Sequence, residues 1–340
     1  MGIGPSELGV LTSVYFLTMA AVQIPLGAWL DRYGPRRVQS ACLLFAAAGA
    51  TVFAVANGLA GLVVGRALIG IGVATALMAG LKAVVLWFPQ DRIAFANGLI
   101  VMTGALGAIT ATVPAEVVIE AIGWRGLFLT LAILSVMVAL GIFSIVPEHD
   151  RFRVNVSRNN SVKLRTIYAD RRFQQLAPLS ALCIGTAWSL QGLWVAPWLQ
   201  DVEGLGRPEI VGHLLIMGVA LSVGALALGC VADWLRRRGV SREKTFLWLA
   251  TAFTVAQLAL VTRLPMPSIA PLVVIAGVGA ATVLSFAMLP EYFPKEMSAR
   301  ANAALNILHL SSAFLLQAAT GAVVDLWPTV NGRPPVEAYQ

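Results

Sequence analysis

Charged residues are scarce in this sequence. Only 12% of its 340 residues are Asp, Glu, Lys or Arg, whereas 58% are hydrophobic. A soluble domain carries about 25% charged residues, so this composition cannot cover the surface of a water-soluble protein. The same scarcity argues against intrinsic disorder and against a nucleic-acid partner. The composition indicates that lipid, not water, surrounds the fold.

Cysteine and histidine are also rare. The three cysteines, Cys42, Cys183 and Cys230, stand alone within apolar stretches, without the spacing of a disulfide framework or a zinc site. The three histidines lie far apart in the sequence, and hydrolase, metalloprotease and phosphate-loop motifs are all missing from it. The sequence therefore predicts no catalytic residue, no metal, no cofactor and no enzymatic activity.

Long apolar runs are the dominant feature. A helix that spans a bilayer needs about 20 predominantly apolar residues. Ten windows qualify, and one of them contains Arg66 and Lys82; in chain order they are 8–30, 38–65, 59–88, 93–115, 126–147, 173–200, 210–232, 245–262, 264–290 and 301–324. Asn57-Gly58 separates the second window from the third, since both residues favour turns. Because the windows lack the alternation of barrel strands, we predict an all-α integral membrane protein of about ten helices.

The net charge is +7, and most Lys and Arg residues lie in alternate loops. These loops hold 18 of the 24 Lys and Arg residues, whereas the loops on the other side hold four. Loops rich in Lys and Arg stay in the cytoplasm. We therefore expect a multi-pass protein of the bacterial cytoplasmic membrane, with both chain ends on the outer side and membrane lipid as a partner.

Two sequence patterns recur along the chain. Trp87-Phe88-Pro89 and Tyr292-Phe293-Pro294 are each followed by Ala-Asn at the same spacing, 205 residues apart. Gly27 and Asp31 recur as Gly229 and Asp233, 202 residues apart. These offsets predict two repeats of the same orientation, and parallel repeats of this kind are typical of transporters.

The pattern that begins at Gly27 resembles a known family signature. Residues 27–38 are similar to the cytoplasmic loop motif of the major facilitator superfamily, with Trp29 and Pro35 as departures and with matches at Gly27, Asp31, Arg32, Gly34, Arg36 and Arg37. The run Arg66-x-x-x-Gly70-x-Gly72 is similar to the fourth-helix motif of the same family. The resemblance covers essentially the whole chain.

This resemblance implies a domain organisation. It predicts two pseudo-repeated helical bundles, at residues 1–147 and 173–340, joined by a cytoplasmic linker at 148–172. These bundles would hold helices 2–6 and 7–11 of the family pattern, so we expect the first and twelfth helices to be absent from this chain.

The resemblance also implies a gate. The loop at residues 27–37, with Asp233 and Arg236 in the second repeat, would form a latch that closes the cytoplasmic mouth and opens as the halves rock. Asp31 ends a helix, where a negative charge is unfavourable unless a cation or the start of another helix neutralises it. Alternatively, Gly27 and Asp31 only shape a tight loop.

Arg66 and Lys82 are the charges placed deepest in an apolar window, and such residues are functional candidates. On one regular helix, 16 residues separate them by about 24 Å and turn them to nearly opposite faces, so they cannot form a single clamp. Each could instead extend its charge to the nearer membrane surface. The resemblance links the Arg66 motif to cavity lining and proton coupling.

Further candidates lie in the second half. Trp188 and Gln191 share an arc of about 120° with Trp194 and Trp198 on a helical wheel, an aromatic and amide face that suits an amphipathic solute. The alternative for the two later tryptophans is the aromatic belt at the membrane surface. Asn306 and His309 share a face of the last window, where amides also serve as packing contacts.

Together these observations predict a secondary transporter of a small solute that works by alternating access. Without a nucleotide motif, the driving force must be a gradient, and we expect proton coupling. The charges at Arg66 and Lys82 favour a small organic anion as the substrate. The alternatives are efflux of an amphipathic compound, and a relic of the family that does not transport.

Overall fold

Nearly all of the chain is helical. A computed structural model describes residues 4–89, 92–147, 164–279, 282–293, 295–328 and 334–339. By their contacts the residues divide into two compact units, Met1–Ile3, Val10–Gly107 and Pro114–Ser161 in unit 1, and Gly4–Gly9, Ala108–Val113 and Val162–Gln340 in unit 2. The expected boundaries at residues 147 and 172 stay a prediction, since 148–163 lie outside the described residues.

Most of unit 1 is formed by five helices. They are α1 (Pro5–Val55), α2 (Leu59–Val73), α3 (Ala76–Trp87), α4 (Ile93–Thr110) and α5 (Val113–Ile145). Two of them are not regular throughout, because Gly34 in α1 and Gly123 in α5 have positive φ angles of 81° and 71°. A residue with a side chain rarely adopts this conformation, so glycine is required where each long helix changes direction.

Unit 2 contains eight α-helices among the described residues. They are α6 (Leu164–Tyr168), α7 (Arg171–Ser189), α8 (Val195–Asp201), α9 (Arg207–Arg237), α10 (Arg242–Val261), α11 (Ile269–Gly279), α12 (Thr282–Tyr292) and α13 (Lys295–Val324). A π-helical segment, Leu190–Trp194, joins α7 to α8, and a 3-10 turn forms Val336–Tyr339.

The predicted fold class is confirmed. Within the described part of the chain, eight helices are long and apolar enough to cross a membrane. One of them, Pro5–Val55, contains the first predicted window and most of the second, on either side of Gly34. The window at 93–115 overlaps α4, which is apolar along its 18 residues. Each of the ten windows therefore overlaps at least one helix of the described chain.

Glycines allow the helices of unit 1 to pack closely. A methyl group added at Gly72 of α2 would lie 2.6 Å from the Cα atom of Ala46, and one at Gly70 would lie 2.6 Å from the Tyr15 carbonyl oxygen. Tyr15 precedes Gly34 in α1 and Ala46 follows it. Helix α2 thus lies between the two halves of α1, which explains the glycine spacing of the second motif by the close packing usual in membranes.

The same device packs α7 against α13 in unit 2. A methyl group at Gly185 would lie 2.7 Å from the Cβ atom of Ser312 and 2.9 Å from the Ala313 nitrogen. Residues from α7, α10, α11, α12 and α13 form the main apolar core of this unit, including Phe173, Phe253, Ile275 and Leu305.

Replacing Gly72 with alanine should destabilise the protein, because the added methyl group meets the backbone of Ala46. Overpacking of this kind costs about 1–3 kcal/mol. The matched control is Gly141→Ala in α5, where an added methyl group meets nothing within 4 Å. We expect a lower thermal denaturation midpoint for Gly72→Ala and an unchanged or higher one for the control. Equal midpoints for the two variants would contradict the packing.

Candidate substrate site and gating loop

Arg66 lies in an aromatic pocket of unit 1. Its guanidinium carbon is 5.1 Å from the ring centre of Phe53 and 5.8 Å from that of Phe128. The two rings contact each other at 4.3 Å, and Trp124 completes the cluster edge-on to Phe53 at 5.8 Å. Helices α1, α2 and α5 each contribute to this site.

Small residues bring Arg66 and Phe53 together. A methyl group at Gly65 would lie 2.8 Å from the Cβ atom of Phe53, and one at Gly49 would lie 2.8 Å from the carbonyl oxygen of Gly65. Only glycines at these two positions let α2 approach the second half of α1 this closely. The residue next to Gly65 is then held against the aromatic ring.

The Arg66 side chain lacks an anionic partner among the described residues. Its Nε atom is buried and has no hydrogen-bond partner there. The titratable neighbour that interacts with it electrostatically is Tyr15, which is neutral as a phenol. Aromatic rings attract a cation but cannot accept its hydrogen bonds as a carboxylate does. The pocket therefore suits a bound anion.

Lys82 has different partners at the other end of the same span. Its Nζ atom donates to the carbonyl oxygen of Leu30 at 2.8 Å and to Oδ1 of Asp31 at 2.5 Å. The Lys82 ammonium neutralises the Asp31 carboxylate, and it satisfies the Leu30 carbonyl near the end of the first half of α1 at Gly34. The ammonium thus binds groups within the protein, whereas the sequence analysis left open that Lys82 only extends to the membrane surface. The sequence analysis did not pair Lys82 with Asp31.

The geometry expected for Arg66 and Lys82 needs correction. The prediction treated residues 59–88 as one regular helix, but a turn at Ala74 and Thr75 divides it into α2 and α3. The fully buried Thr75 donates a hydrogen bond from Oγ1 to Oε1 of Gln39 at 2.8 Å. The helix is therefore not fully regular between the two cations, although Ala74 and Thr75 keep right-handed helical angles. The opposite facing of Arg66 and Lys82 stays a prediction.

Two arginines of the loop motif, Arg32 and Arg36, contact aromatic residues of the same unit. Arg36 donates from Nε to the carbonyl oxygen of Phe143 at 2.8 Å and lies over the ring of that residue at 4.8 Å. Arg32 lies over the Tyr33 ring at 5.2 Å. Arg37 is exposed and lines a 540 Å³ cleft with Trp29 and Tyr33. Gly27 lies within α1, and an added methyl group there would meet nothing within 4 Å.

The second repeat has a similar turn. Gly239, which is 205 residues after Gly34, has a φ angle of 82°, close to the 81° of Gly34. Arg236 is exposed at the end of α9, and its carbonyl oxygen accepts from the Gly239 nitrogen at 3.0 Å. The side chain of Asp233 lies outside the described residues. The role of these residues in a latch stays a prediction.

In unit 2, His309 and Trp188 come together. His309 is fully buried, and its Nε2 atom is hydrogen-bonded to Oγ of Ser180 at 2.8 Å. Trp188 lies edge-on to the imidazole at 6.5 Å, and Phe286 lies 5.4 Å from it. The Nδ1 atom of His309 is buried without a hydrogen-bond partner among the described residues. The Nδ1 atom of His309 could therefore hydrogen-bond to a polar group.

The helical wheel drawn for the tryptophans is corrected by the π-helical segment. Gln191 and Trp194 lie within Leu190–Trp194, where the turn is wider than in an α-helix, so the predicted arc of about 120° does not apply. Trp194 is 3% exposed and donates from Nε1 to the carbonyl oxygen of Gln317 at 3.1 Å. It packs inside unit 2 against Val324 and Ala338. Gln191 and Asn306 are half-buried.

Several residues of these sites were missed by the sequence analysis. Phe53, Phe128 and Tyr15 surround Arg66, and Ser180 and Phe286 contact His309. Each sits in an apolar window where aromatic and small hydroxyl residues are common, so the sequence gives no local signal. Across the described ranges, no group of three or more His, Cys, Asp or Glu residues could hold a metal ion.

Comparison with known proteins gives a family match. The family model described as Major Facilitator Superfamily matches residues 1–316. The "Probable L-galactonate transporter" of Escherichia coli is 24% identical over 260 residues, which are 72% of this chain and 57% of that protein. The "Probable sulfoacetate transporter SauU" of Cupriavidus necator is 31% identical over 255 residues, 70% of this chain and 59% of that protein. This chain therefore spans less than two thirds of the length of these relatives.

Solved structures share the fold. A crystal structure of the nucleoside transporter NupG superposes with a TM-score of 0.79 at 13% identity, covering 98% of this chain and 86% of that one. At this identity the likeness shows the fold alone. The two relatives named above are both described as transporters.

The contact of Lys82 with Asp31 should be measurable as a coupling between the two side chains. Lys82→Gln should lower the thermal denaturation midpoint, because it removes the cation from both Asp31 and the Leu30 carbonyl. Asp31→Asn should have a smaller effect, of about 1 kcal/mol or less for a partly exposed pair. The double variant should be no less stable than Lys82→Gln alone. Lys244→Gln, an exposed lysine, is the control. Additive losses in the double variant would refute the contact.

Proposed function

This chain belongs to the major facilitator superfamily, and we propose that it carries a small organic anion across the bacterial cytoplasmic membrane by alternating access, coupled to protons. The family match, the apolar helices and the relatives described as transporters support a multi-pass membrane transporter. Transport itself, the anion, the proton coupling and the type of membrane are our proposals.

The main support for an anion is the Arg66 site. Burying a cation without a counter-charge costs several kcal/mol, and a cation–π contact returns only about 0.5–2 kcal/mol. The rings of Phe53 and Phe128 thus offset part of the cost and leave the buried Nε without an acceptor. A carboxylate or sulfonate would supply both the missing charge and the missing acceptor. The planar guanidinium can bind such a group through two parallel hydrogen bonds.

The relatives are consistent with this substrate class. L-Galactonate and sulfoacetate, named for the two relatives, are both small organic anions. The two proteins differ in which anion their names specify, so the likeness supports the class and not one compound.

The proposed proton coupling rests on His309. Imidazole is the side chain whose charge changes most readily near neutral pH. In unit 2 it is bound to Ser180 through one ring nitrogen, while the other nitrogen has no partner among the described residues. We propose that this nitrogen binds a proton or a polar group of the substrate during the cycle. Trp188 and Phe286 shield it from water.

Efflux of an amphipathic compound is the second candidate. The observation in its favour is the aromatic surrounding of His309, since Trp188 and Phe286 offer apolar ring surface next to a polar atom. Substrates of this kind would not need Arg66. Whether substrate binding depends on Arg66 therefore separates the two candidates.

Variants of Arg66 test the proposal in a binding assay on purified protein. L-Galactonate, sulfoacetate and other small carboxylates and sulfonates would be screened by the rise in denaturation midpoint that a ligand causes. For the best ligand we expect Arg66→Lys to lower the affinity about tenfold or more, because the two-point contact is lost, and Arg66→Gln to lower it further.

The matched control is Arg125→Lys. Arg125 also lies over a ring, that of Trp124 at 4.4 Å, but its guanidinium already donates to the carbonyl oxygen of Ala56 at 2.9 Å. We expect unchanged affinity for this variant. Full affinity in Arg66→Gln would remove the basis of the anion proposal, and a preference for amphipathic cations would favour efflux.

A further inference from the structure

A second cleft lies in unit 2, and neither His309 nor its contacting residues line it. It has a volume of 640 Å³ and opens between the start of α7, the start of α10 and the end of α12. Its polar lining comes from these helix ends, with Arg172 and Gln175 on α7, Glu243 on α10 and Tyr292 on α12. All four residues therefore lie at the same end of the membrane-spanning helices, where the chain meets the membrane surface.

The deeper lining of the cleft is apolar. Leu176 and Leu179 follow Arg172 by one and two turns of α7, and Phe246 follows Glu243 by about one turn of α10. Met288 precedes Tyr292 by one turn of α12. The lining thus changes from polar to apolar along the helix axes, from the surface toward the bilayer interior. A phospholipid has the same order of head group and acyl chain.

The polar end carries both signs of charge. Glu243 accepts a hydrogen bond through Oε1 from the Tyr292 hydroxyl at 3.0 Å, and the Arg172 guanidinium lies 6.0 Å from the centre of the same ring. Tyr292 therefore stands between a cation and a carboxylate. The carboxylate also interacts with its own backbone N–H and with the Ser241 side chain. A carboxylate has about four acceptor positions, so Glu243 keeps about one of them for a further donor.

The charge pattern discriminates among lipid head groups. Arg172 can bind the phosphate that all phospholipids carry. Glu243 repels a head group with net negative charge and attracts one with a cation. A primary ammonium donates three hydrogen bonds to such an acceptor, whereas a trimethylated ammonium donates none.

We propose that this cleft binds a phosphatidylethanolamine molecule, with its phosphate at Arg172, its ammonium at Glu243 and an acyl chain along Leu176 and Phe246. The site is separate from the proposed substrate site, so it stands or fails independently of the transported anion. Basic clefts between membrane helices at the cytoplasmic surface bind anionic lipids, and the carboxylate at this cleft changes the preference to a zwitterion.

The test uses short-chain, water-soluble lipids added to the purified protein in detergent. Dihexanoyl phosphatidylethanolamine, phosphatidylcholine and phosphatidylglycerol would be titrated separately, and the affinity taken from the rise in denaturation midpoint. We expect the ethanolamine lipid to bind about tenfold more tightly than the other two. Equal affinities, tighter binding of the glycerol lipid, or no response to any lipid would overturn the proposal.

Two variants assign the preference to residues. Arg172→Gln should lower the affinity for the ethanolamine lipid about tenfold. Glu243→Gln should abolish the preference for the ethanolamine lipid over the choline lipid, while its amide oxygen still accepts from the Tyr292 hydroxyl. Lys244→Gln is the control, since Lys244 adjoins Glu243 in sequence but does not line the cleft. Glu243→Asp, which keeps the charge, should retain the preference if Glu243→Gln folds poorly. A preference that survives Glu243→Gln in folded protein would contradict the site.

Discussion

The bilayer core offers no water to hydrogen-bond with the chain, and this constraint explains most of the structure. Every backbone N–H and C=O group in the core must find a partner inside the protein, so the chain forms helices. Where a helix is interrupted, its free groups need other partners. The Lys82 ammonium supplies one for the Leu30 carbonyl near the break at Gly34. The wider turn at Leu190–Trp194 keeps its backbone bonds in a π-helical pattern.

The same constraint makes a buried charge costly, and it separates Arg66 from Lys82. Lys82 lies near the end of its span and is neutralised by Asp31, so it needs nothing from outside the chain. Arg66 has aromatic rings and a neutral phenol as neighbours, with its Nε atom buried and unpaired among the described residues. We propose that a cation kept in this state binds an anion that comes and goes. Two residues that look alike in the sequence thus have different roles in our account.

The sequence predicted the features that depend on the lipid environment alone. Helix positions follow from apolar windows, and the break at Asn57-Gly58 follows from residues that favour turns. Features that depend on neighbouring helices were not predictable. Phe128 lies on α5, more than sixty residues from Arg66, and no local pattern pairs the two. The close approach of Phe53 depends on the packing of Gly49 and Gly65 between α1 and α2. No sequence pattern marks the π-helical segment at Leu190–Trp194. The arc of about 120° predicted for Trp188, Gln191, Trp194 and Trp198 therefore assumed the wrong helix geometry.

The central claim is that Arg66 makes negative charge a condition of transport. The most direct measurement compares two solutes that differ only at that charge, an aldonate such as L-galactonate and the alditol in which a hydroxymethyl group replaces the carboxylate. Both would be offered at equal concentration to proteoliposomes that contain the protein, with an inward proton gradient. The account predicts uptake of the aldonate, abolished when the gradient is collapsed, and no uptake of the alditol above empty liposomes. Equal uptake of the alditol would contradict it.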